Sequence, residues 1–127
     1  MNSMQLRGMG FKYMDNPHIC DKGRLKFSCK PQQFQNIVYA ILVNDKLVYI
    51  GLTKDFYTRV HTYRNALYWK NAFRSNKRKT HMIENAVMRG RDVSFYCLNS
   101  ANMEYDERLL IENLTPKWNK VFCQSCK

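Results

Sequence analysis

Residues 38–51, VYAILVNDKLVYIG, leave the chain few ways to fold. Two runs rich in β-branched and apolar residues, NIVYAILV and KLVYIG, flank the polar triplet Asn44-Asp45-Lys46, the pattern of a tight antiparallel hairpin. The hairpin carries two phenols, Tyr39 and Tyr49, in an otherwise apolar setting. Where they point is a matter of parity. A two-residue loop pairs residues whose numbers sum to an odd value and puts the tyrosines on opposite faces, because side chains alternate with period two. A three-residue loop, Asn44-Asp45-Lys46, pairs Val43 with Leu47 and Ile41 with Tyr49, so both phenols share a face. That closure, which makes a site of the hairpin, is the one expected.

The 127 residues are enough for one domain with a single core, burying roughly two thirds of the unfolded surface without obligatory disulfides or metal. Composition is that of a globular protein, 45% hydrophobic and 24% charged, but 21 Lys and Arg stand against 10 Asp and Glu, a formal charge of +11. Such an excess seeks a polyanion. Nucleic acid is the commonest, an anionic membrane surface the next, and a merely solvated basic face the plainest account. No run approaches the ~18 apolar residues of a membrane span, and MNSMQLRGMG has no secretory apolar stretch, so an intracellular protein is expected. Its five cysteines then read as reduced thiols.

Residues 1–34 read as an irregular basic extension, punctuated by Gly8, Gly10, Pro17, Gly23 and Pro31, with a short strand in GRLKFSC. Behind Asp55, a helix N-cap, Phe56, Val60, Tyr63 and Leu67 recur at helical spacing and predict a helix of about four turns. A second helix is expected in THMIENAVMR, capped by Thr80 and closed by Gly90; DVSFYCL follows as the third strand of the sheet. The last helix runs from about Met103 to Leu114, ahead of Pro116, and residues 120–127 form a tail.

On that last helix Met103, Leu110, Ile111 and Leu114 make the apolar stripe, and Glu107 falls within it. An ionised carboxylate aimed along a buried face needs a cation, an arginine or a metal; a structural salt bridge satisfies the same need. Glu104, Asp106 and Glu112 fall on other faces and read as solvated. From Arg59 to Arg91 there are nine Lys or Arg and one acid, Glu84, interleaved with Tyr63, Tyr68, Trp69 and Phe73. Phosphate-binding surfaces have this cation density, with planar guanidinium for two-point contact. Cys123-Gln124-Ser125-Cys126 has zinc-knuckle spacing, and Cys20 and Cys29, with His18, could complete a structural zinc site, although the second pair is not similarly spaced.

Taken together, Val38-Tyr39, Tyr49-Ile50-Gly51, Arg59, Glu107 and Asn119 resemble the GIY-YIG nuclease superfamily over about residues 35–119. The motif tyrosines are ten apart, the arginine follows the second by ten, and the glutamate precedes Pro116-Lys117-Trp118-Asn119 at the family spacing. Within the superfamily, NIVYAILVNDKLVYIGLTK and Phe11-Lys12-Tyr13 are most similar to the T-even phage endonuclease branch.

The resemblance implies an α+β fold, a small three-stranded antiparallel sheet flanked by helices, with residues 35–119 as the catalytic domain. It also implies magnesium- or manganese-dependent hydrolysis of phosphodiester bonds in double-stranded DNA, by a phage-encoded enzyme in the host cytoplasm. Tyr39 or Tyr49 would accept the proton of the attacking water, Tyr39 being preferred. Arg59 would stabilise the phosphorane, Glu107 would hold the metal, Lys79 would join the catalytic set and Asn119 would order the site. Lys12, Lys54, His61, Tyr63, Arg64, Arg74, Lys77 and Arg78 would contact DNA. Two departures stand out: Ile37 replaces the motif's first glycine, and Tyr63 stands where several members have histidine. One site cuts one strand, so a double-strand break requires two sites, as in a homodimer or tetramer, or two successive nicks. The competing readings are a basic nucleic-acid-binding module of the same fold that does not cut, against which the Arg59 and Glu107 pair argues, and a zinc-stabilised regulatory protein.

Overall fold

The computed structural model describes residues 1–28, 35–65 and 74–119. Along the chain come α1 (Ser3–Gly8), β1 (Lys12–Asp15), β2 (His18–Ile19), β3 (Leu25–Lys26), β4 (Gln35–Val43), β5 (Lys46–Asp55), α2 (Phe56–Asn65), α3 (Arg74–Met88), β6 (Val93–Asn99) and α4 (Met103–Leu114). The fold is α+β, but the main sheet has four strands, not the expected three, in the order β1-β6-β4-β5 and all antiparallel. The additional strand is β1, from a segment expected to be irregular. Its sequence, KYMD, shows no apolar alternation, because it is a short edge strand with Lys12 and Tyr13 exposed, ordered by the backbone of β6.

The hairpin reaches the expected outcome by another route. The turn is two residues, Asn44 and Asp45, at φ 50° and 63°, the left-handed pair that lets a tight turn follow the twist of its strands. Val43 therefore pairs with Lys46 and Leu42 with Leu47. A bulge then shifts the register, Val48 is left unpaired, and Ile41 faces Tyr49 while Tyr39 faces Gly51. One extra residue in the strand replaces one extra residue in the loop, and both phenols end on one face.

That face packs against α2 and α3: Tyr39, Ile41, Tyr49 and Phe95 form a core with Phe56, Val60, Tyr63, Ile83 and Trp118. On the other face Val38, Ala40, Leu42 and Ile50 pack with Leu6, Tyr96 and Leu110, beneath α1 and α4. Full burial of each such apolar side chain contributes about 1.5–3 kcal/mol, so the alternation along β4 is the main determinant of the layering.

Local hydrogen bonding sets the boundaries of α2 and α3. Asp55 caps α2 as expected, its Oδ1 accepting from the backbone N–H groups of Tyr57 and Thr58 at 3.0 and 3.4 Å. Thr80, expected as a cap, lies inside α3; its hydroxyl instead donates to the carbonyl of Tyr63 at 2.9 Å and ties α3 to α2. Gly90, at φ 75°, closes α3 as expected, with Gly90 N–H donating to Val87 and Arg91 N–H to Ala86. Among the described residues no helix is long and apolar enough to cross a membrane.

Candidate active site

Tyr39 is 1% exposed and its ring lies over the backbone of Gly51, its cross-strand partner. A Cβ at residue 51 would sit 2.6 Å from the Tyr39 ring and hydroxyl, a distance no side chain tolerates, so glycine is what lets the phenol lie flat across β5. The Tyr39 hydroxyl is 2.5 Å from that of Tyr63 on α2 and is also hydrogen-bonded to Tyr49, whose ring centroid is 5.9 Å from its own. Three phenols therefore meet, with Tyr39 at the centre. Burial pushes the pKa of each above the ordinary tyrosine value, Tyr39 well above it and Tyr63 up to about 12, while the Arg59 guanidinium pulls all three down.

Arg59 is half-buried in the second turn of α2, and its Nε is buried with no hydrogen-bond partner among the described residues. A buried donor of this kind is costly unless something supplies an acceptor, and an anionic oxygen does so best. Lys79 projects from α3 with Nζ 4.8 Å from the centroid of the Tyr49 ring. Glu107, half-buried, comes from α4 in the opposite layer. Burial raises its pKa, Lys79 lowers it and Glu104 raises it; its charge in turn raises Tyr49. Residues from both layers thus act on one another around β5, the edge strand of the sheet.

Asn119 fixes that edge. Its side-chain Oδ1 accepts from the Ile50 N–H at 2.7 Å and its Nδ2 donates to the Ile50 carbonyl at 2.8 Å, so one amide replaces a neighbouring strand. Further along β5, the Leu47 N–H donates to the carbonyl of Met1. Asn119 is a positioning residue for the segment that carries Tyr49 and Gly51.

A divalent ion fits this site on the chemistry of its donors. Magnesium is commonly held by one or two carboxylates with water and substrate phosphate, and Glu107 is a half-buried carboxylate whose ionisation burial disfavours, a cost that a cation would offset. Among the described residues no three His, Cys, Asp or Glu cluster as an all-protein metal cage. Cys20 is half-buried and its thiol is free; the other proposed zinc ligands, Cys29, Cys123 and Cys126, lie outside the described residues.

The structure brings together Tyr39, Tyr49, Arg59, Lys79 and Glu107, with Asn119 behind them. It does not place Tyr63 on a DNA-contacting surface: the side chain is 0% exposed, and the phenol completes the hydrogen-bonded trio. The sequence held the clue, since Tyr63 continues the apolar stripe of Phe56 and Val60 at helical spacing, one turn after Arg59. Lys12, Cys97, Tyr39 and Gly51 form one row across the sheet, which sets Lys12 on the Tyr39 face about 10 Å away at ~4.8 Å per strand. Lys54 and Arg78 are exposed and Lys77 is half-buried. The side chains of His61, Arg64 and Arg74, together with Tyr68, Trp69 and Phe73, lie outside the described residues. Asp106 is not solvated as expected; it accepts from the Ser100 hydroxyl at 2.5 Å.

Comparison with known proteins gives the family and the fold. Residues 35–119 match the model of the GIY-YIG catalytic domain. The chain is 34% identical over 113 residues to Endonuclease II of Enterobacteria phage T4, covering 78% of this chain and 82% of that protein. Its structure is similar to that of a mutant of bacteriophage T4 EndoII, with a TM-score of 0.76, 28% identity, and 91% and 98% of the two chains covered. It shares the fold of the restriction endonuclease HPY188I, solved in complex with product DNA, at a TM-score of 0.53 and 13% identity over 90% and 79% of the chains.

Proposed function

The chain belongs to the family of GIY-YIG catalytic domains, and on that premise we propose that it is a divalent-metal-dependent endonuclease, phage-encoded, that hydrolyses phosphodiester bonds in double-stranded DNA. The observation that carries this reading is the meeting of a phenol trio with two cations and a carboxylate, the Arg59 Nε lacking any acceptor among the described residues. Arg59 binds the scissile phosphate and stabilises the charge that develops on its non-bridging oxygens. Lys79 adds a second positive charge beside Tyr49.

Tyr39 takes the proton of the attacking water. A phenol ordinarily ionises near 10, too high for an efficient base at neutral pH, and burial raises this one further. The Arg59 guanidinium offsets part of that rise, whereas the neighbouring phenols Tyr49 and Tyr63 add to it. Glu107 would hold Mg2+ or Mn2+. When bound, such an ion supplies Lewis-acid neutralisation of phosphate charge. Tyr39 lies on the side of β5 that faces Arg59, so the base and the phosphate-binding cation share one wall.

One site cuts one strand; a dimer or tetramer in the host cytoplasm would bring a second site to the duplex. The test incubates supercoiled plasmid with wild type, Glu107→Ala and Arg59→Ala, with Mg2+ and with EDTA. Nicking or linearisation that requires Mg2+ and is lost in both variants is the expected result. Cleavage by Glu107→Ala at the wild-type rate would remove that residue's role, and absence of cleavage on every DNA offered would favour a module that binds without cutting.

A further inference from the structure

A groove of about 280 Å³ opens on the catalytic side of the sheet, between the end of the β4-β5 hairpin and α3. Its floor is apolar, with Val48, Met82 and Trp118, and Arg89, Arg91 and Lys117 stand around it; among the described residues no carboxylate lines it. Asp92, beside Arg91 in sequence, accepts instead from the Asn16 amide. Val48 reaches the floor because it is the bulged residue: unpaired, it packs on the same face as Tyr49. One stripe of α3 runs from the site to the groove. Lys79 and Met82 lie on one stripe of α3 that Arg89, just past its end, continues, and the ten residues from Lys79 to Arg89 span about 15 Å at 1.5 Å per residue.

We infer that this groove is a subsite for one unstacked nucleotide of the DNA strand, its base on the Val48 and Met82 floor and its flanking phosphates on Arg89, Arg91 and Lys117. The inference rests on the proposed endonuclease function. Charge complementarity selects a polyanion, and the apolar floor selects the base over the phosphate backbone alone, since every base presents an apolar face whatever the sequence. Against the ~300–1,000 Å³ of sites for drug-sized ligands, the groove takes a single base. At about 3.4 Å of rise per stacked nucleotide, the closest spacing a strand takes, 15 Å puts that base within about four nucleotides of the phosphate at Arg59 and Lys79.

The test uses a duplex that the wild type cleaves in Mg2+, with 2-aminopurine tiled along both strands and binding measured in Ca2+. A fluorescence rise confined to one position within about four nucleotides of the cut is expected, lost in Asn85→Trp, which closes the mouth of the groove from an exposed helical position. The combined variant Arg89→Gln, Arg91→Gln, Lys117→Gln should bind less tightly, with a salt slope shallower by about 2–3, near one for each phosphate no longer neutralised. Cleavage by the wild type with no brightening at any position, or a combined variant with wild-type affinity and slope, overturns the subsite and leaves the endonuclease standing. If no duplex is cleaved, the endonuclease reading falls and the subsite with it.

Discussion

At the scale of single residues, the site sets groups with opposite demands side by side. A buried phenol must ionise to accept a proton, and below its pKa the ionised fraction rises about tenfold per pH unit. With the three phenols raised by burial, kcat/KM for plasmid cleavage should climb at that slope through neutrality and beyond pH 9. Tyr39→Phe should flatten the profile and reduce the rate by about a hundredfold or more, whereas Tyr49→Phe should keep the slope at a lower rate; the reverse would move the base to Tyr49. Glu107 gives a second prediction, on stability. Its folded pKa lies above the ordinary value, so the folded state binds this proton more tightly than the unfolded one does. Its contribution is favourable at low pH and is lost as pH rises through the folded pKa. Glu107→Gln should therefore melt above wild type at neutral pH in EDTA while losing cleavage, the gap closing below the ordinary glutamate pKa of about 4.3. These residues were legible in the sequence because spacing carries them: Tyr39, Tyr49, Arg59 and Glu107 are fixed by motif. Tyr63 reads two ways in the sequence, as part of the apolar stripe of Phe56, Val60 and Leu67 and as a DNA contact, and the packing of α2 decides for the stripe.

At the scale of elements, the parts legible in the sequence were those with their own periodicity or punctuation: the hairpin, β6, α4, and the Asp55 and Gly90 boundaries of the helices. The parts that were not owe their form to partners elsewhere in the chain. β1 is a strand because β6 pairs with it, and Thr80 lies inside a helix because its hydroxyl finds the Tyr63 carbonyl and not an N-cap. Asn119 was identified by resemblance as a residue that orders the site; the structure supplies the means, a side-chain amide acting as the missing neighbour of an edge strand. Asn119→Ala removes both bonds and leaves Ile50 N–H and C=O without them. At about 0.5–1.5 kcal/mol for each hydrogen bond, a loss of roughly 1–3 kcal/mol is expected in urea denaturation, with cleavage impaired even where the protein is fully folded.

At the scale of the whole molecule, a formal charge of +11 on 127 residues makes association with DNA a matter of counterion release. Binding to a duplex of any sequence, measured in Ca2+, should weaken steeply with salt, by about 10³-fold or more between roughly 50 and 200 mM if six or more phosphates are engaged. A slope near zero would mean that the basic residues face away from the DNA. Charge excess was plain in the composition; its distribution was not, because one stripe along α3 and its C-terminal end brings Lys79 to the phenols and Arg89 to the far groove. The Val48 bulge has a consequence for how such chains diverge. Beyond the bulge, turn and strand together place an odd number of residues between paired positions such as Ile41 and Tyr49, and a two-residue turn with one bulge is equivalent in this respect to a three-residue turn with none. A single insertion or deletion between Tyr39 and Tyr49 carries one phenol to the α4 side unless a bulge is lost or gained with it, so length and bulge in this hairpin must change together.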